Sequence, residues 1–189
     1  MDKKEIIEGH FAEIMKALGL DLTDDSLQNT PKRVAKMYCD EIFYGLDGAN
    51  FPTMTTQSNK FGYNQMLIET NITVNSTCEH HFVPIIGVCH IAYIPKDKIL
   101  GLSKFNRVVD FFSRRPQVQE KLTNDILTCL MSHLDTPDIA VCIDASHMCV
   151  RLRGIKDQRT MTRTTALSGL FKEADSRAEF LAAIKPADF

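Results

Sequence analysis

Two short clusters, Cys78-Glu79-His80-His81 and His147-Met148-Cys149, constrain this chain more than any other feature. About seventy residues, roughly half a typical domain's length, separate them. Thiolate sulfur and imidazole nitrogen are the usual ligands of zinc, and a catalytic zinc takes three protein ligands and leaves its fourth position to water. A fold that uses both clusters for one ion must carry two distant segments to the same place. We read Cys78, His81 and Cys149 as the ligands, with His80 and His147 left free to move protons. Plainer readings compete. Buried cysteines are often only small hydrophobes, adjacent histidines often decorate a surface, and Cys78 and Cys149 could close a disulfide. The spacing differs from a closed four-ligand site of paired Cys-x-x-Cys. Two such clusters in one chain favour the ion.

The rest of the chain limits the alternatives. Its 189 residues suit one domain, or one domain with an appendage, and at 44% hydrophobic it can bury a sizeable core. A net charge of −2 argues against bulk binding of nucleic acid, so any anionic ligand must be held by a local group of Lys and Arg. No apolar run reaches the length of a membrane span. Met1-Asp2-Lys3-Lys4-Glu5 reads as the opening of a charged helix rather than a signal peptide. Six cysteines without a secretion signal suit a reducing cytoplasm. Cys39, Cys89, Cys129 and Cys142 sit among apolar residues and read as core.

Periodicity sets the element order. Ile6, Ile7, His10, Phe11, Ile14 and Leu18 form a helical stripe over residues 3 to 19, with His10 as a packed histidine. Thr30-Pro31 opens a second helix that runs toward Gly45. Residues 47 to 65 read as a polar linker or extended arm, which divides the chain into an N-terminal helical region, 1–65, and a second part, 66–189. Met66–Asn75 and Phe82–Ile94 alternate as strands. Two helices follow. One opens at Gly101-Leu102-Ser103 with Phe105, Val108, Val109 and Phe112 inward; the other starts near Gln117 and buries Leu122, Ile126, Leu130 and Leu134. Ile139–Ile143 and Met148–Leu152 read as two closing strands joined by a turn at Asp144-Ala145-Ser146. A short helix, Ser176–Ile184, ends the chain. The order strand-strand-helix-helix-strand-strand predicts an α+β unit with an antiparallel sheet.

On the predicted last strand, His147, Cys149, Arg151 and Arg153 share one face, opposite apolar Met148, Val150 and Leu152. Ser103, Lys104 and Arg107 at a helix start can seat an anion, and Arg33 and Lys36, three apart, can add charge. A capped helix with solvated cations would show the same residues. Glu120 can accept two N–H bonds from a guanine edge while Gln119 complements its carbonyl; a glutamate answering the helix dipole is the plainer account. Thr160, Thr162, Thr164 and Thr165 look like a strand edge or a surface segment with no role.

Taken together, Ser76-Thr77-Cys78-Glu79-His80-His81-Phe82, Gly101-Leu102-Ser103-Lys104, Arg114-Arg115-Pro116-Gln117-Val118-Gln119-Glu120 and His147-Met148-Cys149-Val150-Arg151-Leu152-Arg153-Gly154 resemble GTP cyclohydrolase I over nearly the whole chain. The resemblance implies the tunnelling fold, in which subunit sheets join into a barrel. It implies a homodecamer of two pentameric rings with active sites between subunits. It implies Zn2+ on Cys78, His81 and Cys149, and conversion of GTP to 7,8-dihydroneopterin triphosphate and formate, the first step toward tetrahydrofolate or biopterin. In that reading a water activated by the metal attacks C8 of the guanine, His147 protonates N7, and His80 moves a further proton. Ser103 assists near the sugar, Gln119 and Glu120 read the guanine, and Arg33, Lys36, Lys104, Arg107 and Arg153 hold the triphosphate. Two rivals are a nitrile reductase of the same fold, which would want a nucleophilic cysteine and a nicotinamide cofactor, and a zinc-dependent scaffold without turnover.

Overall fold

The structure, a computed structural model, describes residues 2–184; Met1 and residues 185–189, the outermost ends of the two predicted parts, lie outside the described residues. Two helices, α1 (Lys3–Ala17) and α2 (Thr30–Met37), pack on each other and lead through a π-helical turn, Tyr38–Ile42, into an irregular segment. The strands are β1 (Thr56–Ser58), β2 (Leu67–Cys78), β3 (Pro84–Tyr93), β4 (Lys98–Leu100), β5 (Pro116–Gln117), β6 (Ile139–His147) and β7 (Thr162–Leu167). The later helices are α3 (Leu102–Ser113), α4 (Gln119–His133), a four-residue turn α5 (Met148–Arg151), and α6 (Ala174–Ala183). β1 pairs with β4, and the main sheet runs β5-β2-β3-β6-β7, antiparallel except where β5 lies parallel to β2.

α3 and α4 cover one face of this sheet. Phe105, Val108, Val109, Leu122, Ile126 and Leu130 meet Val74, Ile85, Cys89, Ile91, Val141 and Ile143 there, all buried. Burying side chains of this size stabilises by about 1.5–3 kcal/mol each. The far end of the other face is closed by Phe171, Phe180 and Ile184 against Ala92, Ala140 and Cys142.

Four expectations need correction. His10 and much of the α1 stripe, including Ile6, Ile14 and Leu18, are exposed; His10 lines an apolar cavity of about 320 Å³ with Ile7, Phe11, Tyr38, Phe43 and Phe82. The segment read as a polar linker or extended arm is anchored: Phe51 packs edge-on to Phe111 at 5.2 Å, and β1, inside the segment, pairs with β4 outside it. Upstream of it, the Gly45 N–H donates to Arg114 O at 3.1 Å, so close that a Cβ there would strike the Phe111 and Arg114 carbonyls. Cys39 is only half-buried.

The fourth correction matters most. No turn interrupts Asp144-Ala145-Ser146. β6 runs unbroken to His147, because β3 pairs with it on one side from Tyr93 to Ile85 and β7 on the other. Asp144 is tolerated within a buried strand because Arg163 clamps its carboxylate with two bonds of 2.7 and 2.6 Å. The β3–β6 ladder stops at Ile85–His147, next to Pro84, which has no N–H to give. Without a partner strand, residues 148–151 coil into α5, and Leu152, placed on the apolar face of the predicted strand, is 67% exposed. The closing strand is the threonine run Thr162–Leu167 instead.

Candidate metal centre

Sheet register gathers the site at one end of the sheet. Thr77 lies opposite Pro84, Cys78 opposite Gln117, and Ile85 opposite His147. Beyond Cys78 the chain reverses: the Phe82 N–H donates to Cys78 O, and the Cys78 N–H to Val83 O, both at 2.9 Å. Phe82 takes a left-handed φ of +54°, a strained choice for a bulky residue, and its ring is held edge-on by Phe43 at 5.6 Å. This turn folds His81 back toward Cys78. On the other cluster, the α5 turn brings Cys149 round from the end of β6. One ligand atom each from Cys78, His81 and Cys149 then lie within 4.8 Å of one another.

This donor set fits a metal ion. Cys78 is buried, Cys149 half-buried and His81 exposed. Burial pushes the Cys149 thiol up, and the neighbouring Cys78 sulfur pushes the same way. Two sulfurs packed this closely resist carrying negative charge together unless a cation sits between them. Among the described residues no fourth His, Cys, Asp or Glu joins the group, which leaves room for water.

Behind the triad is a cavity of about 170 Å³ lined by Cys78, His80, Gln119, Glu120, His147 and Cys149, among others. α4 begins two residues after β5 and so delivers Gln119 and Glu120 to this cavity from its first turn. His80 Nδ1 stands 3.8 Å from Cys78 Sγ. His147 Nε2 is 2.8 Å from Gln119 Oε1. Burial lowers the His147 pKa, against the opposing pull of the Glu120 charge, which favours a neutral imidazole. Gln119 is 1% exposed, and its Nε2 donates to Ile143 O, Thr162 O and Thr164 Oγ1, each at 3.0 Å. It therefore has no donor left for a base carbonyl.

The expected cations are dispersed. Arg153 touches the triad, its Nη1 donating to His81 Nε2 at 2.9 Å; Arg151 turns instead to Ser146 Oγ at 3.0 Å. The shared strand face predicted for His147, Cys149, Arg151 and Arg153 does not exist, because α5 replaces that strand. Ser103, Lys104 and Arg107 lie on the first two turns of α3, whereas its last residues reach the triad end, where Gln117 Nε2 donates to Phe112 O. At 1.5 Å per residue, Ser103 stands roughly 15 Å along the axis from that end. Arg33 and Lys36 are exposed on α2. Sequence reasoning missed the threonines of β7 and Thr123 of α4, which surround Gln119; the alternation Thr162-Arg163-Thr164 was the available signal.

Three comparisons bear on this site. The family model described as GTP cyclohydrolase I matches residues 7–185. The protein "GTP cyclohydrolase 1" of Aeromonas salmonicida (strain A449) is 55% identical over 184 residues, covering 97% of this chain and 84% of its own. That of Citrobacter koseri (strain ATCC BAA-895 / CDC 4225-83 / SGSC4696) is 56% identical over 184 residues, covering 97% and 83%. A crystal structure of the archaeosine synthase QueF-Like in the apo form aligns with 55% of this chain and 93% of its own, at a TM-score of 0.47 and 19% identity, a likeness too weak to carry an argument.

Proposed function

The chain belongs to the GTP cyclohydrolase I family, and we propose that it carries out the family's reaction in the pocket behind Cys78, His81 and Cys149. It is an enzyme, a hydrolase that converts GTP in pterin and folate biosynthesis. In this reading the products are 7,8-dihydroneopterin triphosphate and formate. One observation carries it: two thiols and an imidazole within 4.8 Å of one another, beside a cavity that also holds His80, His147 and Glu120.

Zinc is the ion this donor set suits. When bound, it supplies Lewis acidity and lowers the pKa of water toward about 7, for attack at C8 of the guanine. The chain's own residues do the rest. Glu120 accepts the N1–H and 2-amino hydrogens of the base. His147 takes up at its free nitrogen the proton shed by the attacking water and gives it to N7 as the imidazole ring opens, and His80 moves a further proton as formate leaves. Ser103 serves the ribose. Arg33, Lys36, Lys104, Arg107 and Arg153 hold the triphosphate.

Those cations and Ser103 come mostly from outside the cavity, and its volume, about 170 Å³, falls below the roughly 300 Å³ at which small-molecule pockets begin. A neighbouring subunit that carries its own α3 into the gap answers both points. This supports sites between subunits of a homodecamer of two pentameric rings, with the sheets joined in the tunnelling fold. Residues 1–65 act as an N-terminal extension to the catalytic part, 66–189. The enzyme works in the cytoplasm without nucleic acid or membrane; no helix among the described residues is long and apolar enough to cross one.

Incubation with GTP should release formate and a product that oxidises to a fluorescent pterin. Chelation should stop both, and zinc should restore them. His147→Ala should bind GTP but release no formate. Full turnover in the chelated protein would overturn the reading of the metal, and full turnover in His147→Ala the choice of acid.

A further inference from the structure

We infer that Gln119 is a positioning residue that fixes which ring nitrogen of His147 carries hydrogen, and that Thr162 and Thr164 of β7 hold it to that task. The inference rests on His147 being the proton donor proposed above.

Hydrogen-bond direction carries the argument. Gln119 presents one end of its side-chain amide to the backbone carbonyls of Ile143 and Thr162, both at 3.0 Å. Carbonyl oxygens only accept, so the amide NH₂ must be the end that faces them. That orientation leaves Oε1 toward His147 Nε2, at 2.8 Å. An amide oxygen also only accepts, so His147 Nε2 must donate. The neutral ring therefore keeps its hydrogen on Nε2 and its lone pair on Nδ1, and any proton it exchanges moves at Nδ1.

The threonines leave no slack in this chain of donors. The Thr123 hydroxyl donates to Gln119 O at 2.8 Å, which uses its single hydrogen. In its 2.6 Å contact with Thr164 Oγ1 it must then accept, so Thr164 donates. The Thr164 lone pairs remain for Gln119 Nε2 at 3.0 Å. Every donor in the set has one consistent direction, running from His147 at the end of β6 to Gln119 on α4, on to Thr164 of β7 and back to Thr123 of α4. Its midpoint, Gln119, is buried, where an amide with an unmet partner is expensive and an alternative orientation is suppressed. A side chain meant to read a base would keep its donor free; this one does not.

The test uses the intact zinc-loaded enzyme labelled with 15N-histidine, at about pH 8 where an ordinary imidazole is neutral. The His147 signals are those missing from the spectrum of His147→Asn. The wild type should show hydrogen on Nε2 and a bare Nδ1. In Gln119→Leu the two tautomers should mix. Its kcat should fall on the order of 10²- to 10⁴-fold, as when a catalytic histidine loses its orienting partner, while KM for GTP stays within about twofold. Thr164→Val should lower kcat about three- to tenfold, the value of one hydrogen bond, and Thr164→Ser should restore it. Hydrogen on Nδ1 in the wild type would overturn the inference. So would a tenfold rise in KM with kcat intact in Gln119→Leu, which would make Gln119 a reader of the base. Should Gln119→Leu not fold, the wild-type spectrum and the Thr164 pair still decide. Formate release surviving in His147→Asn would sink the choice of acid alone, because the wild-type tautomer is read without turnover.

Discussion

Two groups of histidine, cysteine and carboxylate sit on this sheet, and they behave as opposites. At one end Cys78, His81 and Cys149 converge beside a cavity, with His80, His147 and Glu120 around them. Midway along the sheet, on β3, β6 and β7, His90, Cys142 and Asp144 lie close together with Arg163, but all three are sealed. Asp144 is 4% exposed and neutralised by Arg163, burial favours the neutral Cys142 thiol, and His90 Nε2 has no hydrogen-bond partner among the described residues. The same residue types give a site in one place and structural filler in the other. What differs is where the strands end: backbone that leaves a ladder can fold ligands inward, whereas backbone within a ladder cannot.

The contrast breaks most sharply if exchanging cysteines has the wrong effect. Cys149→Ser should lose the metal and reduce formate release to background, whereas Cys142→Ala should keep both and cost about 1 kcal/mol in stability, measured by metal analysis and denaturant unfolding. Carboxylates sharpen it from the other side. Asp144→Ala removes the partner of Arg163, whose side chain is 37% exposed and can turn to water, and should cost about 1.5 kcal/mol, with the ion retained. Glu120→Ala, exposed at the cavity mouth, should change stability by less than about 0.5 kcal/mol yet lower kcat/KM for GTP on the order of 10²-fold.

Thiol chemistry offers a smaller but direct comparison. In native metal-free protein Cys39 and Cys149, the two half-buried thiols, should alkylate first, followed on partial opening by Cys78. Cys89 and Cys142 should react only on unfolding, since burial pushes the Cys142 thiol to about 11 and holds Cys89 well above its usual value. Mass-spectrometric mapping of the label gives the order; early labelling of Cys142 would show that the second group is open.

The smallest effect is on acid stability. Burial lowers the His90 pKa, with the Asp144 charge opposing and that of Arg163 assisting. The folded state therefore holds His90 neutral after the unfolded chain has begun to bind a proton, near pH 6.5. Stability from this residue is full above that pH, declines as pH falls toward the lower folded value, and levels off beneath it. The slope should not exceed about 1.4 kcal/mol per pH unit. Unfolding midpoints between pH 7 and 5 should lose that slope in His90→Phe; an unchanged slope would assign the acid sensitivity elsewhere.

Much of this was legible in the chain before folding. Leu122, Ile126 and Leu130 recur at helical spacing and are buried together. β2 and β3 follow from alternation, and the two clusters announce their chemistry by residue type. The α1 stripe was legible as a helix but not as a surface, because periodicity says which residues share a face and not what covers it. Residues 147–153 alternate as well as any strand does. They fail to be one because Pro84 ends the neighbouring ladder, a fact located sixty-odd positions earlier in the chain.

Sequence alone determined the kinds of atom available: two sulfurs and three imidazoles in two clusters, and helices and strands in nearly the right order. Residue identity fixes donor chemistry and local repeat without reference to distant neighbours. Only tertiary structure decided which of these groups meet, that Gln119 is consumed within the chain, and that a run of threonines given no role supplies the last strand. Those outcomes depend on pairing across the sheet, where a partner's last hydrogen bond, and not the local pattern, decides whether a segment stays extended or turns.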